Sequence, residues 1–379
     1  MSRLFDPLVV RDVTIPNRLM VSPMCQYGAQ EGYATDFHLA HLGRFALGGF
    51  GLVCAEATAV LPEGRSTPKD LGIWSDAHIP MLQRITSVIK QSGSVPGIQL
   101  GHAGAKGGLT EPWVGSRPSD EAFNTPGQDR WDTISPSGLP VGAGWPAPRS
   151  MTDNDLALVA AAFPAAAQRA DQAGFEFIEI HGGHGYLLSQ FLSPLTNLRS
   201  DGYGGDRAGR MRLALEVVEA VRRVWPTSKP LCFRVSAVDT GGPEGVTIED
   251  TIVFSRELKR RGVDLVDCSS GGVRTHPYRL PVGYGYQTQF AEQVRHSVDI
   301  GSIAVGLILD AVQANEVIET GKADLVAIGR AALNDPNWPH HAYAELFPEH
   351  EFKNWPDRYR WGLEHQARQL AKDEPLRRG

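Results

Sequence analysis

His181 and His184 stand three residues apart where the apolar run 175–180 gives way to a glycine-rich turn, and Tyr186 follows two residues later. Imidazoles at that spacing suit three roles. They can donate a pair of hydrogen bonds to one carbonyl oxygen, with Tyr186 as an acid. They can ligate a metal, although a catalytic zinc takes a third protein ligand and no HxxxD or HExxH element accompanies them. Or one of them is a packing or turn residue. Arg234 is embedded between Phe233 and Val235. A buried, unpaired guanidinium is very costly, so Arg234 implies either a carboxylate partner or an anionic, electron-rich cofactor edge.

Two further segments suit an anion. Gly306-Leu307-Ile308-Leu309-Asp310 and Gly329-Arg330-Ala331 each put a glycine at the end of an apolar run and before a helical pattern. Glycine lets the backbone approach closely, helix-start N–H groups favour negative charge, and Arg330 adds charge-assisted bonds. The plainer reading is a pair of tight strand-to-helix turns. Cys25 sits in Pro23-Met24-Cys25 just after another apolar run. A lone buried thiol is usually inert, but one at the mouth of a site is placed to act, and Tyr27 is near enough to close a pocket.

These residues need a scaffold that brings strand ends together. Eight short, near-continuously apolar runs occur at 19–22, 51–56, 95–100, 175–180, 231–235, 263–267, 302–305 and 325–328. Such runs read as parallel strands buried on both faces. Helical patterns separate several of them. Thr152 with Asp155 and Thr247 with Asp250 mark helix starts, Gly174 and Gly262 mark stops, and Arg207–Val224, 311–320 and 331–346 carry helical spacing. The sequence therefore predicts a single (β/α)8 barrel of the TIM type over residues 1–347. The dinucleotide fingerprint GxGxxG is absent after the first strand, which disfavours an open doubly wound sheet. Polar groups from all eight strands then converge on the C-terminal face of the barrel. A loop at 104–149, rich in Gly, Pro, Ser and Trp, makes a long excursion after strand three and reads as part of the site wall. Residues 348–379 form a C-terminal tail carrying Trp355, Tyr359 and Trp361, with its last residues, 372–379, disordered.

Composition limits the alternatives. The 379 residues are 42% hydrophobic and 21% charged, with a formal charge of −6. That argues against nucleic acid or an anionic membrane as a partner. Cys25, Cys54, Cys232 and Cys268 form no CxxC pair, so a reducing compartment is expected. The N-terminal residues do not read as a signal peptide, and no apolar stretch reaches the ~18 residues needed to span a bilayer. A cytoplasmic enzyme is expected.

Ser22-Pro23-Met24-Cys25-Gln26-Tyr27, Gln99 with His102-Ala103-Gly104, His181-x-x-His184-Gly-Tyr186, and Ser193-Pro-Leu-Thr-Asn197 followed by Tyr203-Gly-Gly resemble the Old Yellow Enzyme family. Cys25 resembles its bacterial thermophilic-like, xenobiotic-reductase-like subclass, whose members are often called NADPH dehydrogenases. The resemblance runs from about residue 4 to 346. It implies an FMN-dependent ene-reductase using NADPH or NADH in a ping-pong cycle. Substrates would be enones, enals or maleimides, with nitro compounds and quinones also compatible, and the protein would be a homodimer or homotetramer. Ser22, Pro23, Met24, Cys25 and Ala57 would line the flavin, and Cys25 would tune it near N5. Gln99 and Arg234 would meet its pyrimidine side, while Gly306, Gly329 and Arg330 would hold its phosphate. His181 and His184 would bind the activating oxygen of the substrate beside Tyr27. Hydride would pass from flavin N5 to the β carbon, and Tyr186 would protonate the α carbon. Four features depart from the family pattern. Ala105 replaces an arginine in His-Ala-Gly-Arg-Lys, the loop at 104–149 is long, Val305 stands where some relatives carry tryptophan, and the C-terminal arginine that crosses between subunits in some members has no clear counterpart, Trp361 being the candidate for capping the pocket instead.

Overall fold

The computed structural model describes residues 3–116, 131–240, 242–272 and 280–373. Eight strands form the expected barrel: β1 (Leu19–Val21), β2 (Leu52–Ala59), β3 (Val95–Gly101), β4 (Phe177–Gly182), β5 (Leu231–Ser236), β6 (Leu265–Ser269), β7 (Gly301–Ala304) and β8 (Leu325–Ile328). Each pairs in parallel with the next, and β8 closes on β1 through Val326 opposite Leu19 and Ile328 opposite Val21. Closure leaves no sheet edge, and every strand is covered by helices outside and side chains inside.

The outer helices are α1 (Asp36–Leu47), α2 (Ile79–Gln91), α3 (Asp153–Gln172), α4 (Arg207–Val224), α5 (Ile248–Arg260), α6 (Thr288–Val298) and α7 (Ala311–Glu319). The two capping pairs read from the sequence are formed. The Thr152 side chain accepts from the Asp155 amide and Asp155 reaches back to the Thr152 amide, and Thr247 and Asp250 repeat the arrangement. The helix expected over 331–346 is broken in two, α8 (Arg330–Asn334) and α9 (Trp338–Leu346). Pro336 supplies no amide hydrogen and disfavours the helical region for the residue before it, so Asp335 is extended at φ −132°, ψ 95°. Beyond α9, residues of the tail form α10 (Asp357–Asp373), which includes Lys372. Residues 374–379, read as disordered, lie outside the described residues, as do 117–130 of the long loop. Trp355 stacks on His340 of α9, with ring centroids 4.3 Å apart.

Side chains along each strand alternate between the barrel interior and the helices. The lower interior is apolar, packed from Met20, Leu52, Phe177, Leu265, Ile303 and Leu325. An antiparallel hairpin, Leu8–Val10 with Val13–Ile15, closes that end, and its fully buried Ile15 joins the same cluster. Two residues further up β3, β4, β5 or β6, on the same inward face, stand Gln99, Glu179, Arg234 and Asp267. The interior thus changes from apolar to charged as it approaches the C-terminal mouth. The hairpin plug makes a firm prediction: Ile15→Ala lowers stability by about 2–5 kcal/mol. A drop of less than 1 kcal/mol in the urea unfolding free energy would show that the hairpin is an ornament rather than the floor of the barrel.

Candidate active site at the barrel mouth

The strands are almost entirely buried, and exposure returns in a ring at their C-terminal ends. Residues 23–28 after β1, Ala57 of β2, His184 and Tyr186 after β4, Ser270 after β6, Gly306 after β7 and Gly329 after β8 are all partly open. Non-glycine residues in the left-handed region gather there too: Tyr27 at φ 55°, His184 at φ 57° and Leu307 at φ 51°. Such conformations cost about 1–3 kcal/mol each and persist only where surrounding contacts enforce them, often at functional sites.

The contacts that enforce His184 are visible. Its amide donates to Ser236 Oγ at 2.8 Å, and Ser236 in turn donates to the Gly271 carbonyl at 2.7 Å. Lys106 Nζ donates to the His184 carbonyl at 2.7 Å and also to that of Gly272. A cation from the β3 loop therefore ties the turns after β4 and β6 together. Burial lowers its pKa to about 8. The His184 Nε2 atom lies 2.7 Å from Ser269 Oγ. Where Ser269 donates to Nε2, the Nδ1 atom carries the hydrogen and is the donor offered to a ligand.

His181, buried at the end of β4, brings its ring within 5.1 Å of His184 and 5.0 Å of Tyr186. The three residues singled out by spacing are thus one cluster. Burial holds both imidazoles far below their usual range, helped by the nearby Arg234 and Lys106 charges. They are neutral donors at physiological pH. The Tyr186 phenol is pushed the other way, well up, by burial and by negative charge from Cys25, Asp70 and Tyr27 when ionised. It keeps its proton until a base is generated beside it. A narrow crevice runs between Ala57, Ser66, Asp70, His102, His181 and Tyr186. Ser66 lines this crevice and donates from Oγ to Asp70 at 2.5 Å. A larger depression opens at the opposite end of the barrel. Its charges are spent on each other, Arg295 with Asp324 and Arg11 with Asp264, so it offers no comparable chemistry.

Cys25 is half-buried, and burial followed by Asp70 and Glu56 keeps its thiol protonated. Its loop is held by a device that the sequence does not announce. The register of β2 on β3 passes from Ala55↔Ile98 to Ala57↔Gln99, so Glu56 is an extra, bulged residue. The bulge re-aims its side chain. One oxygen accepts the Gln26 amide at 2.7 Å, and the other lies 3.1 Å from His38 Nε2 of α1. His38 Nδ1 accepts the Thr35 amide at 3.0 Å, which leaves its hydrogen on the nitrogen facing Glu56. Tyr27, next along, meets Trp113 of the long loop edge-on at 5.6 Å, so that loop does border the mouth.

Gln99 Nε2 donates to Glu179 Oε1 at 2.7 Å, and Arg234 Nε lies 3.2 Å from Asp267 Oδ2. Arg234 therefore has the carboxylate partner that was one of its two readings. Ser22 is buried, its amide donating to the Ile328 carbonyl across the barrel seam. Gly306, at φ 119°, and Gly329 flank the seam between β7, β8 and β1, with Met24 Sδ 3.6 Å from where a Gly329 side chain would begin. Arg330 is exposed beside them and makes no ion pair among the described residues. Two glycines and an unpaired cation at adjacent strand ends suit a phosphate. The metal reading of the histidines gains no support: among the described residues no three His, Cys, Asp or Glu side chains are grouped to hold an ion. Trp361 is 69% exposed on α10 and is not among the residues that line the crevice described above.

The chain is similar to known proteins in sequence and in fold. The model of the NADH:flavin oxidoreductase / NADH oxidase family matches residues 3–348. An NADPH dehydrogenase from Geobacillus sp. (strain WCH70) is 42% identical over 345 residues, covering 90% of this chain and 94% of that protein. One from Bacillus cytotoxicus is 42% identical over 347 residues, covering 91% and 93%. Among solved structures, morphinone reductase superposes with a TM-score of 0.74 at 26% identity, over 91% of this chain and 90% of that one.

Glu56 offers a direct check. Hydrogen bonds to charged groups contribute about 1.5–3 kcal/mol, so Glu56→Leu frees the Gln26 amide and loosens the Cys25 loop. Cys25 in the cofactor-free protein should then react at least tenfold faster with a thiol-specific disulfide reagent. The other three cysteines are buried and stay slow. Unchanged reactivity would show that the loop holds itself.

Proposed function

The chain belongs to the NADH:flavin oxidoreductase / NADH oxidase family, and from that premise we propose that it is an ene-reductase acting on α,β-unsaturated aldehydes, ketones and imides. It is a flavin-dependent oxidoreductase of the NADPH dehydrogenase kind, with FMN as cofactor and a nicotinamide as electron donor. The residues at the mouth fit that cofactor. The half-exposed 23–28 segment and Ala57 offer a face for a flat ring, and Arg234 with Gln99 offers polar contacts inside. Gly306, Gly329 and the unpaired Arg330 offer an anion site at the usual phosphate position of the fold. In our reading Ser22, Pro23, Met24, Cys25 and Ala57 line the ring, Gln99 and Arg234 meet its pyrimidine side, and the two glycines with Arg330 hold the phosphate. FMN, when bound, carries hydride from the nicotinamide to the acceptor.

The observation that carries the proposal is the cluster in which the rings of His184 and Tyr186 each lie about 5 Å from that of His181 at the barrel mouth. His181 and His184 donate to the carbonyl oxygen of the acceptor and draw electrons from its double bond. Removing one such donor typically costs on the order of 10²–10³ in rate. Tyr27 closes the crevice over the bound acceptor. Tyr186 delivers its proton to the α carbon as charge develops there. Its raised pKa suits that role, because the phenol does not ionise in the resting site. Nitro compounds and quinones fit the same oxygen-binding pair. Homo-oligomerisation and a cytoplasmic location belong to this proposal as well. Four free cysteines and the lack of any described helix long and apolar enough to cross a membrane are compatible with the latter.

Two outcomes follow. In anaerobic rapid-mixing absorbance traces, Tyr186→Phe should accept electrons from NADPH at the wild-type rate yet pass them to 2-cyclohexenone about 10²–10⁴-fold more slowly. Equal rates in both half-reactions would remove the tyrosine from the mechanism. Acceptor binding should also stay flat from pH 6 to pH 7. The imidazole pKa values are depressed, so both rings stay neutral across that range and gain a proton only under more acid conditions. A binding transition centred near pH 6.5, followed by fluorescence titration, would mean that one ring titrates as a free histidine.

A further inference from the structure

Within the barrel, just below the proposed flavin site, lie two carboxyl groups and one guanidinium with no solvent around them. Glu179 of β4 and Asp267 of β6 are 0% exposed, and Arg234 of β5, between them, is 5% exposed. Cross-strand register sets Cys232 beside Glu179 and Asp267 beside Arg234. Glu179 and Asp267 flank Arg234 on the neighbouring strands, and Asp267 lies 3.2 Å from it. Beyond that ion pair, Arg234 Nε and both Asp267 oxygens lack a hydrogen-bond partner among the described residues. A buried carboxyl group with no donor beyond one cation calls for a further hydrogen.

Charge bookkeeping points the same way. One guanidinium and two carboxylates would leave a net negative charge buried in the barrel, whereas one shared proton leaves the cluster neutral. The other groups facing it are Cys54 from β2, Gln99 from β3, Cys232 from β5 and, towards the mouth, His181 and His184 next to Arg234, whose rings burial holds neutral. Burial keeps both thiols protonated, so neither adds charge. We propose that Glu179 and Asp267 hold a single proton between them and, through Gln99 and Arg234, set the charge and hydrogen-bond direction presented to the pyrimidine side of FMN. Both are positioning residues. The cofactor half of the proposal rests on the reading that Gln99 and Arg234 meet that side of the flavin.

The consequences are specific. Because Gln99 Nε2 is committed to Glu179, its Oε1 is left to accept from a ligand N–H. Burial first, then Asp267, pushes the Glu179 carboxyl up to about 8, against the opposing pull of Arg234. Below that pH the cluster is neutral, and above it a second anion appears beside the site. Two-electron reduction adds negative charge nearby and makes the pair hold its proton more tightly. Just above pH 8, reduction therefore takes up one more proton than it does when the pair cannot titrate.

The test has two parts. Infrared difference spectra of the cofactor-free protein between pH 6 and pH 10 should show one protonated-carboxyl band that disappears around pH 8. The band should be missing in both Glu179→Gln and Asp267→Asn. No band in the wild type, or an unaltered band in both variants, overturns the shared proton. For the FMN-loaded protein, the midpoint potential should fall more steeply with pH just above 8 in the wild type than in Glu179→Gln, by the equivalent of one proton per two electrons. Parallel curves overturn the coupling to the cofactor. If Gln99→Leu and Arg234→Lys both leave FMN affinity unchanged, the flavin placement and the cofactor half of the proposal fall together, and the infrared result alone judges the shared proton.

Discussion

A buried guanidinium governs the upper half of this barrel. Arg234 lies on an inward-facing position of β5, where a (β/α)8 barrel ordinarily packs branched apolar side chains. Taking such a charge out of water is tolerable only with a close counter-charge. Asp267 on the neighbouring strand supplies it at 3.2 Å. A second carboxyl, Glu179, completes the layer and orients Gln99. From this one constraint follow the polar character of the upper interior, the need for a proton within it, and the division of the barrel into two halves. The lower half is sealed by Ile15 and holds the fold together. The upper half is held together by charge balance and opens onto the site.

The second constraint is conformational. Parallel strands end in turns that must redirect the chain into a helix within a few residues. At three of these turns a residue other than glycine takes the left-handed conformation: Tyr27, His184 next to the positive-φ Gly185, and Leu307 next to the positive-φ Gly306. Each brings strain that its neighbours must offset. Ser236 and Lys106 grip the His184 turn from both sides. Glu56, freed from the β2 pleat by a bulge, grips the amide of Gln26 just before Tyr27. The site is thus assembled by side chains from adjacent strand ends reaching sideways to hold each other's backbone. This explains how residues far apart in the chain arrive at one crevice with defined tautomers.

The eight strands were legible because burial on both faces removes polar residues from them and leaves short, nearly pure apolar runs. The capping pairs at Thr152 and Thr247 were legible because N-capping is local chemistry. The break at Pro336 is masked by apolar spacing that continues across it, although the proline itself is the signal. Spacing alone brought His181, His184 and Tyr186 together correctly, since three residues on one strand end cannot be far apart. The partners from other strands were not legible. Nothing in the sequence says which acid faces Arg234. A single acid inside an apolar run, as in Ile178-Glu179-Ile180 or Val266-Asp267-Cys268, is the same signal that flagged the arginine and would have flagged both. Glu56 was hidden for a different reason, because a bulge inverts the face that alternation assigns.

The charges around the mouth also explain why two histidines can serve together there. An imidazole close to Lys106, Arg234 and a second imidazole is disfavoured as a cation, and burial disfavours it further. Neutral rings can each donate one hydrogen bond to the same oxygen without repelling each other, whereas two imidazolium ions could not share so small a space. The cations that keep the rings neutral also favour negative charge arriving in the crevice, whether from a phosphate or from an acceptor oxygen gaining electron density. One electrostatic arrangement therefore serves two needs: it keeps the donors in the protonation state in which they can act as a pair, and it favours the charge that the reaction develops.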